Sequence, residues 1–584
     1  MTSNHRNTTH APFLNPHHFF SHSSWYAVLA IGLLVGSPVL AQDAGSLLRD
    51  IEREQKRLLT PSPALPAPAK PPAIDAAGPR VRIEHFRLQG NSLLSDAELQ
   101  AALSRWTERE LSFAELQQAA DAVAERYRRA GYLVRAYLPE QSFTDGTVTL
   151  AVIEARMGEV SIDDGGKKLR ISADVARDTL TARQQQGGAL NLDQLQRSTI
   201  LINDLPGVSA ATILTPSAHA GATDIILQLQ DKPMLSGSAQ LDNTGAHSTG
   251  DNRASANLSL ANISGKGDQA QLAAMTSAGS NYWRLDYSLP VKHDGLRGGI
   301  HASGLHYALG KDFAALHANG TASTWGMDLR YPVVRGSTHN LSVAAAWDAR
   351  DYLDNAADAV ISNKKMSVTS AGISGDRRDS IGGGGSSFAG ASLTAGSLDL
   401  AGNAADFNAD QISAQRNGSF RKFTWYIARM QKLAAATDLL LSVNGQMASK
   451  NLDSSEIFVL GGPAGVRAYP GAEGSGDEGW LLTAEVRQTL SSKLILTGFY
   501  DHGHVLQHKT TWAGWNNGNL SQPLAYNLKG AGVALTWTKT GSYSARLVLA
   551  HRLGGNPLAN VASGNDGDGT KVMNRLWLSL IKYI

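Results

Sequence analysis

Tyr282-Trp283-Arg284-Leu285-Asp286-Tyr287-Ser288-Leu289 is two-faced: Trp283, Leu285, Tyr287 and Leu289 fall on one side of an extended chain, Arg284, Asp286 and Ser288 on the other. Trp480 to Leu490 repeats the pattern, with Leu482, Ala484, Val486 and Leu490 opposing Thr483, Glu485, Arg487 and Thr489. Such strands suit a soluble sandwich or a barrel with lipid outside and water within. The count decides between them. Strands of this kind read at 234–243, 253–263, 268–278, 281–291, 297–309, 322–333, 340–350, 366–379, 385–400, 419–433, 437–448, 479–490, 493–505, 526–538, 542–553 and 573–583. The number is even, connections after even strands are short, and most after odd strands are long, with Gly279–Ser280 the one tight exception. A sandwich explains neither the count nor loops sorted by side; a sixteen-stranded antiparallel transmembrane barrel over 233–584 explains both.

What precedes the barrel fixes its orientation. Residues 1–41 read as an export signal: Arg6 in a polar segment, an apolar run from Trp25 to Val35, and Val39-Leu40-Ala41 before Gln42. The apolar run is shorter than the roughly 20 residues that a membrane-spanning helix needs. Residues 42–59 make an amphipathic helix, with Leu47, Leu48, Ile51, Gln55, Leu58 and Leu59 along one stripe. Surface attachment and docking inside another domain both fit that stripe. Residues 60–80 hold seven prolines and read as an extended tether.

Two modules follow, 81–157 and 158–232, each in the order β-α-α-β-β. In the first, Ser95-Asp96-Ala97-Glu98 and Ser112-Phe113-Ala114-Glu115 are capping boxes that open its two helices, and Gly131 ends the second. In the other, helices start at Ser172 and Leu192, and strands run Val160–Ile162, 208–214 and 224–230. The small sheets offer free edges to which an extended peptide can add as another strand. With these modules in the periplasm, the short turns lie there and the long loops face outside.

The longest connection, roughly 449–479, is the sixth outside loop. Phe458-Val459-Leu460-Gly461-Gly462-Pro463-Ala464-Gly465-Val466-Arg467-Ala468-Tyr469 is too apolar for a solvated loop and reads as packed back into the lumen. Arg467 is then desolvated and needs a carboxylate, and Asp501, in Phe499-Tyr500-Asp501-His502-Gly503, is on offer. This loop resembles the sixth-loop VRG[Y/F] signature of the two-partner secretion transporters, the TpsB family of haemolysin/haemagglutinin secretion-activation type. Gly476-Asp477-Glu478-Gly479 and the Phe499–Gly503 segment resemble that family's flanking motifs. Leu88-Gln89-Gly90-Asn91 and Tyr137-Leu138-Pro139-Glu140-Gln141 resemble its first POTRA domain, and 158–232 its second.

The resemblance implies an Arg467–Asp501 ion pair holding the loop in the lumen, with Gly461, Gly462, Val466, Ala468 and Tyr469 shaping its tip. It implies that helix 42–59 plugs the pore. It also implies a function: outer-membrane export of a large, unfolded, β-rich exoprotein (a haemolysin, adhesin or contact-dependent toxin) after its capture by periplasmic POTRA domains. The alternative within the same superfamily is an assembly factor that inserts other barrel proteins. Ala468 departs from the usual glycine; if that position requires positive φ, alanine costs about 1 kcal/mol there.

Other classes find little footing. The chain carries 53 basic and 51 acidic residues, which gives no signal for nucleic acid. It has no cysteine, which excludes thiolate metal sites and cysteine nucleophiles. His301 and His306 fall on opposite faces of a strand and make a poor metal pair. No P-loop is present. The expectation is therefore no enzyme, no cofactor, no metal and no small-molecule substrate; the partners are a secreted exoprotein and outer-membrane lipid.

Overall fold

The computed structural model describes residues 42–58, 80–142, 145–516, 519 and 521–584. The expected export signal and all but the last residue of the expected tether lie outside the described residues.

In the first module both capping boxes form. Ser95 caps Asp96–Leu103 and Ser112 caps Phe113–Arg129, each with its glutamate returning to the cap N–H. The helices bury Leu99, Leu103, Leu116, Val123 and Tyr127 against a three-stranded sheet in the order His85–Gln89, Thr147–Glu154, Val134–Tyr137. The strand expected at 81–88 is split at Glu84. Its first part, Arg80–Ile83, pairs instead with Arg109–Ser112, a strand that the sequence reading missed. Glu154 ties the sheet to the turn after the first strand. It accepts from the backbone N–H of Ser92 and Leu93 (2.7 and 2.8 Å) and from the Tyr127 hydroxyl (2.7 Å). Burial raises the Glu154 pKa, but these donors outweigh it and hold the carboxyl below its ordinary range.

The second module has the same build: helices Ala173–Thr181 and Leu192–Asn203 against a sheet ordered Arg156–Asp163, Ala222–Asp231, Val208–Pro216. Its first strand begins two residues before the expected junction at 157/158. This module sits on the barrel's periplasmic turns. Arg335 grips Asp204 through two 2.7 Å bonds, and Arg197 donates to the carbonyl of Pro332 at 2.7 Å.

The barrel closes with sixteen strands, each antiparallel to its sequence neighbour, and the last, Asn574–Tyr583, pairs with the first, Leu235–Asp242. That closing pair has the shortest register, from Ser579↔Asp242 to Tyr583↔Ser238. The inside-out pattern is as the sequence reads: Trp283, Leu285, Ile300 and Leu393 are exposed on the outer wall, whereas Asp348, Asp354, Lys364 and Asp501 are buried inside. One connection differs from expectation. His339–Ala356 and Ala359–Asp379 run on past the predicted strand ends and turn at Ala357-Asp358, both at positive φ, as a two-residue hairpin turn requires. Gly279–Ser280 is therefore not the only tight turn on the outside.

Candidate functional site: a lumen filled by a loop and a helix

The sixth loop leaves Thr437–Ala448, folds into the barrel and returns to Glu478–Ser491. Its stem is a two-residue antiparallel pair, Phe458–Val459 with Ser475–Gly476. Asp477 closes the base, accepting from the backbone N–H of Leu452 (2.8 Å) and Lys509 (2.7 Å). The tip is turned tightly by Val466 N–H to the Leu460 carbonyl (2.6 Å) and Gly462 N–H to the Tyr469 carbonyl (3.1 Å). Side chains at Gly461 and Gly465 would run into the backbone of Pro470 and Leu460. Positive φ falls at Gly462, Ala472 and Gly474, not at Ala468. The feared strain at Ala468 is absent, and its methyl packs where Gly530 of the facing strand has no side chain: a Cβ on Gly530 would stand 2.7 Å from that of Ala468.

Arg467 is 1% exposed. Its Nε and Nη2 each lie 2.7 Å from Asp501, and its Nη1 lies 2.7 Å from Glu485. The guanidinium stacks 3.5 Å from the centre of the Phe499 ring. The Arg467 carbonyl accepts from Trp577 Nε1 at 2.8 Å, which ties the tip to the last strand. Tyr469 donates to the Gly555 carbonyl at 3.2 Å, under the Arg552 guanidinium. Glu473 takes bonds from Asn556 Nδ2 (2.8 Å) and Gly567 N–H (2.9 Å) in the last outside loop. Glu485, Glu473 and Trp577 are partners that sequence reasoning missed. Glu485 was legible as a lumen-facing carboxylate but was not matched to Arg467; nothing in the sequence singled out the other two.

The helix Ala44–Leu58 lies inside the same lumen. Asp43 caps it, accepting from Ser46 N–H at 2.9 Å. Ala44, Leu47, Leu48 and Ile51 join a cluster with Met275, Tyr282, Tyr307 and Tyr352 of the barrel wall. The polar side reaches both wall and loop. Lys364 stands 3.2 Å from Asp43 and 3.2 Å from Asp453 of the sixth loop. Glu52 lies 3.5 Å from Arg284. Arg49 donates to the Ser454 carbonyl at 2.9 Å, and Arg53 to those of Val459 (2.9 Å) and Ala464 (3.1 Å).

Residues 221–524 match the family model of haemolysin secretion/activation protein ShlB/FhaC/HecB, and residues 81–155 match the ShlB-type POTRA domain. The chain belongs to that family. It is 26% identical to the heme/hemopexin transporter protein HuxB of Haemophilus influenzae, over 95% of this chain and 99% of that one. It is 24% identical to the outer membrane transporter CdiB of Dickeya dadantii, over 74% and 77%. Among solved structures it is similar to CdiB from Escherichia coli, with a TM-score of 0.71, 19% identity and coverage of 92% and 98%. The protein is thus a two-partner secretion transporter, an outer-membrane channel for a partner exoprotein, with its POTRA region in the periplasm.

His301 and His306, unpromising as a metal pair in sequence, are also apart in space. His301 faces the lumen and meets Asp348 at 2.9 Å, whereas His306 faces outward.

Proposed function

We propose that the chain exports one large, unfolded, β-rich protein through its own barrel, that the helix Ala44–Leu58 is the resting plug, and that the sixth loop is a fixed part of the wall. The observation that carries this reading is the difference in fastening between the two lumen occupants. The loop is continuous with the barrel and anchored by one arginine on two carboxylates. The helix is held by side-chain contacts and belongs to a segment whose proline-rich continuation, in sequence, gives it travel.

The partner is first captured in the periplasm by strand addition to a POTRA sheet edge. The plug leaves, the partner threads, and its folding outside prevents return. Folding supplies the drive; no enzymatic step is involved. A haemolysin, an adhesin or a contact-dependent toxin fits the class, and the assembly-factor alternative does not account for a tethered helix in the lumen. The test is export of the product of a neighbouring large gene, co-expressed with the wild-type transporter or with a variant lacking residues 42–59 that carries an intact signal. Wild-type cells should release the product to the surface, and planar-bilayer conductance should rise in the deletion variant. A product retained in the periplasm of wild-type cells would reject that gene's product as cargo, and equal conductance would reject the plug.

A further inference from the structure

The outer wall of the last barrel strands carries a feature that neither threading nor plugging uses. On strands that pair side by side, Trp480, His504 and Asn527 share one outward row, and His502 stands directly opposite Lys529 one step below. A further step down, His551 lies opposite Ala531 and Asn574. The rows beneath are wholly apolar, Val533 with Leu549 and Leu535 with Leu547, down to Trp537 near the periplasmic end. Lys529 stands eight residues up-strand from Trp537. At about 3.4 Å per residue and a tilt of about 40°, that is roughly 20 Å of height. The lipid band is about 25 Å tall, so Lys529 stands at its outer edge, with Trp480 and Tyr500 as the aromatic belt.

The patch carries one cation, Lys529, and lacks acids. No carboxylate faces outward on strands Glu478–Ser491, Leu494–Leu506, Ala525–Lys539, Tyr543–Arg552 or Asn574–Tyr583 below Glu478, which is taken by Lys509. Elsewhere on the rim, Lys365 meets Asp351 at 3.8 Å. Among the described residues no carboxylate pairs with Lys529. His502 packs edge-on against Trp480, ring centres 5.1 Å apart, and its Nε2 is enclosed without a hydrogen-bond partner. His504 meets Asn527 Oδ1 at 3.2 Å and stacks beside Trp480. An ammonium without a carboxylate partner, at the edge of the lipid band on a wall that carries no acids, calls for an anion at that height.

We infer that this patch, centred on Lys529 and flanked by His504 and Trp480, binds the phosphorylated headgroup of a glycolipid in the outer leaflet. Lys529 supplies the charge, and Trp480, with His504 stacked beside it, supplies a flat face for a sugar ring. The test is native mass spectrometry of the mature full-length protein released from detergent, with bisphosphorylated lipid A, the same lipid stripped of phosphate, or inorganic phosphate as the added probe. Wild type should retain the bisphosphorylated lipid at least threefold more than the stripped one. The H502Q/H504Q/K529Q variant should lose that preference, K529Q alone should lose part of it, and K365Q on the opposite rim should keep it. Heat-modifiable gel mobility checks that each barrel is folded; if the triple variant does not fold, K529Q against K365Q decides. Equal retention of the two lipids by wild type, or an unchanged preference in the variant, would overturn the inference. So would displacement of the lipid by millimolar phosphate, which would make this a site for a soluble anion.

Discussion

The sixth loop and the N-terminal helix fill one cavity by opposite means. The loop's tip is a small hydrophobic core of its own, with Leu460, Val466, Ala468 and Tyr469 fully buried against Leu528 and Trp577. Its arginine is matched to two carboxylates and an aromatic face. Among its described side chains the helix adds a stripe of Ala44, Leu47, Leu48 and Ile51 to the wall, and its polar contacts go to backbone carbonyls, to Arg284 and Asp354 of the wall and to a lysine shared with the loop. A buried ion pair is weak evidence of stability, but removing one member costs about 3–5 kcal/mol because the other is left buried and alone. Each part has a buried charge, Arg467 in the loop and Asp43 on Lys364 in the helix, but the loop's is matched to two carboxylates and backed by a core of its own. A side chain resting on a carbonyl can be released when water or an incoming chain replaces it. On the proposed reading, the loop stays and the helix leaves.

The contrast can be broken most severely at Arg467. Arg467→Ala leaves Asp501 without its cation and Glu485 with Arg487 alone, and export should fall to background while the barrel still migrates as a folded, membrane-extracted species on heat-modifiable gels. Normal export would mean that the loop needs no anchor. Next in size is deletion of residues 42–59. Planar-bilayer conductance should rise several-fold, and the Arg467→Ala protein with its helix intact should not reproduce that rise.

Lys364→Gln removes the cation shared by Asp43 and Asp453. Open events should become more frequent, with unchanged single-channel amplitude; a changed amplitude would mean that Lys364 shapes the pore rather than holding the plug. Smaller still, Gly530→Ala drives a methyl into that of Ala468 and should cost about 1–3 kcal/mol in urea unfolding. Adding Ala468→Gly should recover most of the loss, and failure to recover would place the strain elsewhere.

The smallest effect lies outside the lumen and serves as a reference. Glu154 has a folded pKa below its unfolded value, so its contribution is complete above the ordinary carboxylate range and is lost as pH falls through the lowered value. The Ser92 and Leu93 amides should lose hydrogen-exchange protection in mild acid, and Glu154→Gln should flatten that dependence.

Alternation made the barrel legible because lipid and water lie on opposite sides of one chain. It failed where that asymmetry ends. From Asp351 to Lys365 both faces of the hairpin carry polar groups, so Asp354 and Lys364, which face the lumen helix, do not read as strand at all. The missed strand Arg109–Ser112 has no room for a period, being four residues between two helices. The loop's apolar text revealed that it packs, and its arginine that it needs an acid. Which acids meet it depends on the register Thr483↔Asp501 and Glu485↔Phe499, set by turns far from either residue. The helix showed its stripe and left the surface beneath it open, since a short amphipathic segment fits any apolar wall.

The direction of the helix has a mechanical consequence. Its first turn rests beside Asp354 and Lys364, close to the outer tip of the longest hairpin, and its later turns rest beside Arg284, midway down a strand about half as long. The tethered end is therefore the deeper one. If the helix is the plug proposed above, a pull from the periplasmic side loads, among the described side chains, Arg53 and Glu52 first, Arg49 next and Asp43 last, so the contacts part in sequence, as teeth of a zip do, and the peak force is that of one contact rather than of all together.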